Sequence, residues 1–239
     1  MRSKPIAVIQ NVANDGPGHF ANWAERQGHT LDIIEVWRGH AVPATIDSYA
    51  GLCVLGGPMS VNDDLAHLRD TERLIRAAMQ AEVPVLGHCL GGQLMASALG
   101  ARIRRAPQAE IGWIPIDAHA ADAALEWFGT TQFPIFHWHS DSFDLPPGAV
   151  LLGTSPYCAN QAFSIGEKHI AMQFHCEITT EKIAAWTTSH EGQAEIATHT
   201  SPGVQSIPGI HAATPSALPV SQQVAEAIYH RWSKNLRID

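Results

Sequence analysis

Between Val83 and Leu99 an apolar run, Val83-Pro84-Val85-Leu86, meets a short apolar helical stretch, Leu90–Leu99, across only Gly87-His88-Cys89. A strand that is apolar at every position needs cover on both faces, the situation of a parallel sheet flanked by helices. Pro84 is tolerable because it lies near the strand start. With no loop available, the chain has to turn sharply from strand to helix. Gly87 and Gly91 stand two residues to either side of Cys89 and provide the small neighbours that such a turn requires.

The rest of the first half repeats this grammar. Ile6–Ile9, Leu31–Val36 and Leu52–Leu55 are strand-like runs. A short stripe of Phe20, Trp23 and Ala24 separates the first two. Leu65, Leu68, Leu74, Ile75 and Met79 form a helical stripe before Val83, with Asp63 or Asp64 as the expected cap. The second half carries shorter strand candidates at 111–116, 133–138, 150–152, 162–165 and 170–174, then helices at 180–186 and 220–232. This predicts a three-layer α/β fold: a mostly parallel central sheet with helices on both faces and an antiparallel extension. No linker divides the chain, so residues 1–239 are expected to form a single domain. Residues 192–219 contain four prolines and scattered Ser, Thr and His. They read either as an unplaced helix or as an irregular, mobile cover over a site.

Composition narrows the function classes. A formal charge of −8, from 23 acidic and 15 basic residues, argues against non-specific binding to nucleic acid or an anionic membrane. The four cysteines, at 53, 89, 158 and 176, contain no CxxC pair, which argues against a zinc knuckle or a secreted disulfide scaffold. The apolar part of Met1–Gln10 is short for a secretory signal, and no stretch approaches membrane-spanning length. A cytoplasmic protein is expected.

The strand–Cys–helix junction also carries chemistry. It projects the Cys89 sulfur from the C-terminal edge of the sheet, towards the first amides of the following helix. Those amides and the helix dipole favour a thiolate, and one of them, that of Leu90, can bind an oxyanion. Gly56-Gly57 after the third strand can offer a second free amide. The alternative is an ordinary strand-to-helix turn. A thiolate nucleophile needs a base, and among 14 histidines His175 stands out because it ends a strand-like run at the same sheet edge. If that segment stays extended, Glu177 lies on the same side and supplies the third group of a triad.

His137 and His139 alternate on one strand face and, with His175, imitate a metal cluster. Packing or hydrogen bonding to a pocket wall accounts for them better, because a histidine serving a thiolate should remain unligated; no metal and no cofactor are expected. Asp141 is a candidate contact for a substrate ammonium group.

Taken together, LCVLGGPMS at 52–60, VLGHCLGGQLMA at 85–96 and AMQFHCEIT at 171–179 resemble the class I (triad) glutamine amidotransferase family, over roughly residues 5–190. EIGWIPI at 110–116 and FHWHSDSFDLPPGA at 136–149 resemble a stand-alone subgroup related to the amidotransferase domain of GMP synthase. The resemblance implies a flavodoxin-like architecture with Cys89 as nucleophile, His175 as base and Glu177 as its partner. It places the oxyanion amides at Gly57 and Leu90, a substrate contact at Gln93, and Met59 on the loop lining the pocket. One departure is Cys176, where the family usually has proline, which loosens the expected placement of Glu177.

The implied reaction is hydrolysis of the γ-amide of glutamine through a Cys89 γ-glutamyl thioester, releasing glutamate and ammonia. The chain has neither a GxxxxGK loop nor a Ser-Gly-Gly-x-Asp-Ser stretch. Three outlets therefore stay open: a separate ammonia-accepting synthase, release of ammonia, or a γ-glutamyl peptide or conjugate as the true substrate. A catalytically silent regulatory or binding subunit is the alternative of another class. Glyoxalase-like and chaperone proteins share the elbow, but Gln93 and the His175/Glu177 pair argue against them.

Overall fold

The computed structural model describes residues 4–119 and 121–237. Among the described residues, nine strands form one mixed sheet in the order β2-β1-β3-β4-β9-β8-β7-β5-β6. The parallel part comprises β1 (Ile6–Gln10), β2 (Leu31–Glu35), β3 (Gly51–Val54), β4 (Val85–His88) and β9 (His169–Met172). The antiparallel extension runs from β9 through β8 (Ala162–Ile165) and β7 (Val150–Thr154) to β5 (Ile103–Ala118) and β6 (Gln132–Phe143). The architecture is the α/β class expected from the sequence.

The apolar strand runs are explained by cover on both faces. Ile6 and Val8 pack with α1 (Gly18–Arg26), α4 (Ala121–Phe128) and α7 (Ile207–Ser233), through Phe20, Trp23, Trp127, Tyr229 and Trp232. Ala7 and Ile9 point the other way, onto α2 (Ala66–Gln80) and α3 (Leu90–Ala98), where Leu68, Ile75, Leu94 and Met95 meet them. This period-two partition makes the three layers. A third cluster joins Trp113 and Phe136 of the extension to Ile183 and Trp186 of α5 (Thr180–Thr188) and to Ile210 of α7.

Several expectations are corrected. Helix α2 begins after Leu65, which makes no side-chain cap; Asp63 instead accepts from the Ser60 amide at 3.0 Å. Residues 192–219 are largely helical, divided between α6 (His190–Thr198) and the start of α7. Ser206 caps α7 by accepting from the Gly209 amide, and Pro208 occupies the helix start, where a missing N–H costs nothing. Pro215 and Pro219 do lie inside the helix. Burial of Ile210, Thr214, Ala217 and Ser221 outweighs the propensity that made the segment read as irregular. Helix α4 carried no recognised signal. Among the described residues, no helix is long and apolar enough to cross a membrane.

Candidate active site

The order of the parallel strands builds the site. Strand β4 is flanked by β3 and β9, so the segments leaving the C-terminal ends of all three lie side by side. Cys89 leaves β4, Gly56-Gly57 leave β3, and Gln173 to Glu177 leave β9. Cys89 adopts φ 48° and ψ −108°, a left-handed backbone that non-glycine residues rarely hold. Its amide donates to the Met172 carbonyl at 2.8 Å, which ties the turn to β9. A Cβ on Gly91 would collide with the Val54 carbonyl, and one on Gly87 would lie 2.7 Å from the Gly91 carbonyl carbon. Close approach of backbones therefore requires both glycines flanking Cys89.

His175 does not continue the strand. Strand β9 ends at Met172, and His175 makes an isolated bridge to Phe136, its amide donating to the Phe136 carbonyl at 2.9 Å. The expectation of an extended segment through Glu177 is thus corrected: the chain turns, because His175 is held by the extension. The imidazole Nδ1–H still donates to Glu177 Oε1 at 2.7 Å. The Cys89 side chain lies close enough for its charge to act on the ring, and its sulfur lies 3.8 Å from the Trp138 carbonyl. Cys89, His175 and Glu177 are all buried, Glu177 completely.

Burial opposes charge on His175, yet the charges of Glu177 and Cys89 outweigh it and hold the imidazole well above its usual pKa. Burial likewise opposes the Glu177 carboxylate. Lys182, His175 and His88 reverse that and pull it well below the ordinary carboxylate range. The geometry thus suits a stabilised imidazolium beside sulfur.

An open pocket of about 970 Å³ lies over Cys89 and His175. Gly57, Met59, Gln93 and Asp141 all line it. Leu90 is buried beneath, at the first position of α3, where a helix amide lacks an intrahelical partner. Gln93 donates to Gln173 Oε1 at 3.2 Å and Gln173 Nε2 donates to the Cys89 sulfur at 3.7 Å, a chain that leads from pocket wall to nucleophile. Asp141 accepts from the Ser60 hydroxyl at 3.1 Å and lies 3.4 Å from Arg105. Helix α6 forms the outer wall with Glu191 and Glu195, and Glu195 accepts from the Trp138 indole at 2.8 Å.

His137 and His139 group with Glu110, not with His175. His139 Nε2 is 3.0 Å from Glu110 Oε2, and Ser155 and Gln161 donate to the same carboxylate. Those donors already engage the oxygens of Glu110, so the cluster reads as a buried polar network. Burial pushes His137 down to a pKa of about 3, keeping it neutral.

The sequence reading missed the groups behind Glu177. Lys182 Nζ is 3.1 Å from Glu177 Oε1 and 2.6 Å from Asp15. His88 Nδ1 lies 3.0 Å from Glu177 Oε2, without the alignment of a hydrogen bond. A usable signal existed for Asp15, since it follows β1 at the same sheet edge; none marked Lys182 among the surface-type residues of a helix. Cys176 does not leave its turn loose: its sulfur is buried 3.4 Å from the Tyr229 hydroxyl and 3.7 Å from His88.

The model of the family described as glutamine amidotransferase class-I matches residues 20–186. The chain is 33% identical to the glutamine amidotransferase-like protein YfeJ of Salmonella typhimurium, over 74% of this chain and 77% of that protein. It is 34% identical to the glutamine-hydrolyzing GMP synthase of Bacillus pumilus, over 66% of this chain but only 29% of the synthase. A crystal structure of a glutamine amidotransferase from Methylobacillus flagellatus superimposes with a TM-score of 0.95 at 36% identity, covering 100% of this chain and 97% of that one. This protein belongs to the class-I glutamine amidotransferase family, whose general chemistry is hydrolysis and transfer of the glutamine amide.

Proposed function

We propose that the chain hydrolyses the side-chain amide of glutamine through a thioester on Cys89. The observation that supports this most is the Cys89–His175–Glu177 arrangement at the floor of the pocket. The Cys89 thiolate attacks the amide carbon, and the developing oxyanion is met by the amides of Leu90 and Gly57. His175 then gives its proton to the departing nitrogen, so ammonia leaves and a γ-glutamyl thioester remains. Water attacks that thioester, His175 takes the water proton, and the sulfur leaves as thiolate with glutamate released. Glu177 supports the imidazolium in both steps. Each oxyanion donor contributes about 3 kcal/mol to lowering the barrier. Gln93, Met59 and Asp141 are assigned to binding of the amino-acid end.

The pocket supports a second reading. At about 970 Å³ it is far roomier than a glutamine side chain needs, near the top of the range of about 300–1,000 Å³ for sites that hold drug-sized ligands. A γ-glutamyl peptide or conjugate would follow the same steps with an amine as leaving group. A substrate panel of glutamine, γ-glutamyl dipeptides and other γ-glutamyl amides, read by mass spectrometry, decides between the two. Equimolar glutamate and ammonia from glutamine supports the first; turnover confined to conjugates supports the second. Failure of every γ-glutamyl amide to yield either product or a Cys89 adduct overturns both.

A further inference from the structure

Lys182 is the third residue of α5, its side chain is only 9% exposed, and its partner Asp15 lines the pocket. Burying an ammonium is costly unless its protons are all accepted and its charge is compensated. Both conditions are met. Nζ donates to Asp15 Oδ1 at 2.6 Å, to the Gly16 carbonyl at 3.0 Å and to Glu177 Oε1 at 3.1 Å. The Trp186 ring lies 5.1 Å away. The third proton goes to the same Glu177 oxygen that accepts from His175 Nδ1.

We propose that Lys182, anchored by Asp15, is a positioning residue: it keeps the Glu177 carboxylate ionised and aimed at His175, and thereby sets the acid limit of activity. The proposal rests on the thioester reading above. Backbone contacts fit it, since the His19 amide donates to the Glu177 carbonyl at 2.9 Å and draws the β1–α1 segment, with Asp15, against the triad.

The other groups facing Glu177 do not replace Lys182. From its own segment come His175 and Cys176; from β4 comes His88, at the second oxygen. Cys53 of β3 and Tyr229 of α7 are buried, and burial together with the negative charge of Glu177 raises both well above their usual values, so they stay neutral. Cys89 acts only through His175. Lys182 is therefore the permanent cation at this carboxylate. Without it, the buried carboxyl takes up a proton at higher pH and the imidazolium loses its counter-charge. The acid limb then moves upward.

The test uses Lys182→Met in the full chain, with Lys182→Gln as a second neutral variant should the first fold poorly. Two readouts are followed against pH: kcat/KM on the best substrate, and the rate of Cys89 alkylation by iodoacetamide. The expected result is a fall in kcat of about 10- to 100-fold, the scale of one hydrogen bond to a charged group, with KM nearly unchanged. The acid limb shifts to higher pH in both readouts, and Lys182→Arg restores it. Addition of propylammonium to Lys182→Ala should also recover part of the rate. An unshifted acid limb in a folded neutral variant, or equal loss in Lys182→Arg, overturns the proposal. His175→Asn separates the two levels. If wild-type alkylation is indifferent to His175→Asn, the triad reading itself fails; if it responds and Lys182→Met does not, only the role of Lys182 fails.

Discussion

His175 Nδ1 lies 2.7 Å from Glu177 Oε1 although the backbone between them turns instead of running extended. Three constraints from separate elements produce that distance. Phe136 of β6 accepts from the His175 amide, His19 of α1 donates to the Glu177 carbonyl, and Lys182 of α5 donates to the Glu177 carboxylate. The pair is held by the surrounding fold more than by its own local geometry. That explains why Cys176, in place of a conformationally restricting proline, leaves Glu177 well placed.

Replacing the sulfur should separate chemistry from folding. Cys89→Ala removes one buried atom from a turn whose shape is set by Gly91, Gly87 and the hydrogen bond from the Cys89 amide to the Met172 carbonyl. Turnover is expected to vanish while the circular dichroism spectrum and thermal midpoint stay close to wild type. Residual activity near the wild-type level would remove Cys89 from the mechanism.

Gly91→Ala should act in the opposite way, on stability first. Its added methyl would strike the Val54 carbonyl, which belongs to a fully buried strand and cannot move aside like a flexible side chain. Overpacking of this kind costs about 1–3 kcal/mol. Urea denaturation should show the midpoint falling at unchanged slope. Wild-type stability in this variant would mean that α3 and β3 are not as closely apposed as described.

Gln93→Ala tests substrate capture. Gln93 lines the pocket and bonds Gln173, so its loss removes a pocket contact and relaxes the group that donates to sulfur. A rise in KM with a fall in kcat/KM of about tenfold is expected, the scale of one neutral hydrogen bond. Alkylation of Cys89 by a small reagent should change little. Steady-state kinetics with an unaltered KM would take Gln93 out of binding; alkylation lost in parallel with turnover would instead locate the damage in the elbow.

A pH dependence of stability follows from His169. Burial lowers its pKa to about 4, and its Nδ1 accepts from the Val85 amide at 3.2 Å, which requires the unprotonated nitrogen. Above pH of about 6.5 the ring is neutral in both folded and unfolded chains and contributes no slope. Below that value the unfolded chain binds the proton first, so stability falls as pH drops towards 4, by at most about 1.4 kcal/mol per pH unit. His137 adds to the loss with the same sign. His169→Asn can still accept from Val85 but does not titrate, so its unfolding free energy between pH 6.5 and 4 should fall less steeply. Parallel curves for the two proteins would refute this assignment.

Periodicity and punctuation alone carried much of this protein. Val83–Leu86 running into Leu90–Leu99 announced the parallel sheet and the elbow, because strand, turn and helix are local and their signals lie in neighbouring residues. His175 and Glu177 were legible because their chemistry marks them and their separation is short. Tertiary structure decided what depends on distant chain segments meeting. Pro215 and Pro219 obscured a helix that burial of Ile210 and Ala217 stabilises, and His139 found Glu110 across the β5–β6 pair. Lys182 and Asp15 are separated by 167 positions and look, in the sequence, like ordinary surface charges. Only the packing of α5 against the segment between β1 and α1 removes water from between them. Once water is gone, an unremarkable lysine and aspartate become the cation and anchor of a buried carboxylate, and no local pattern records that change.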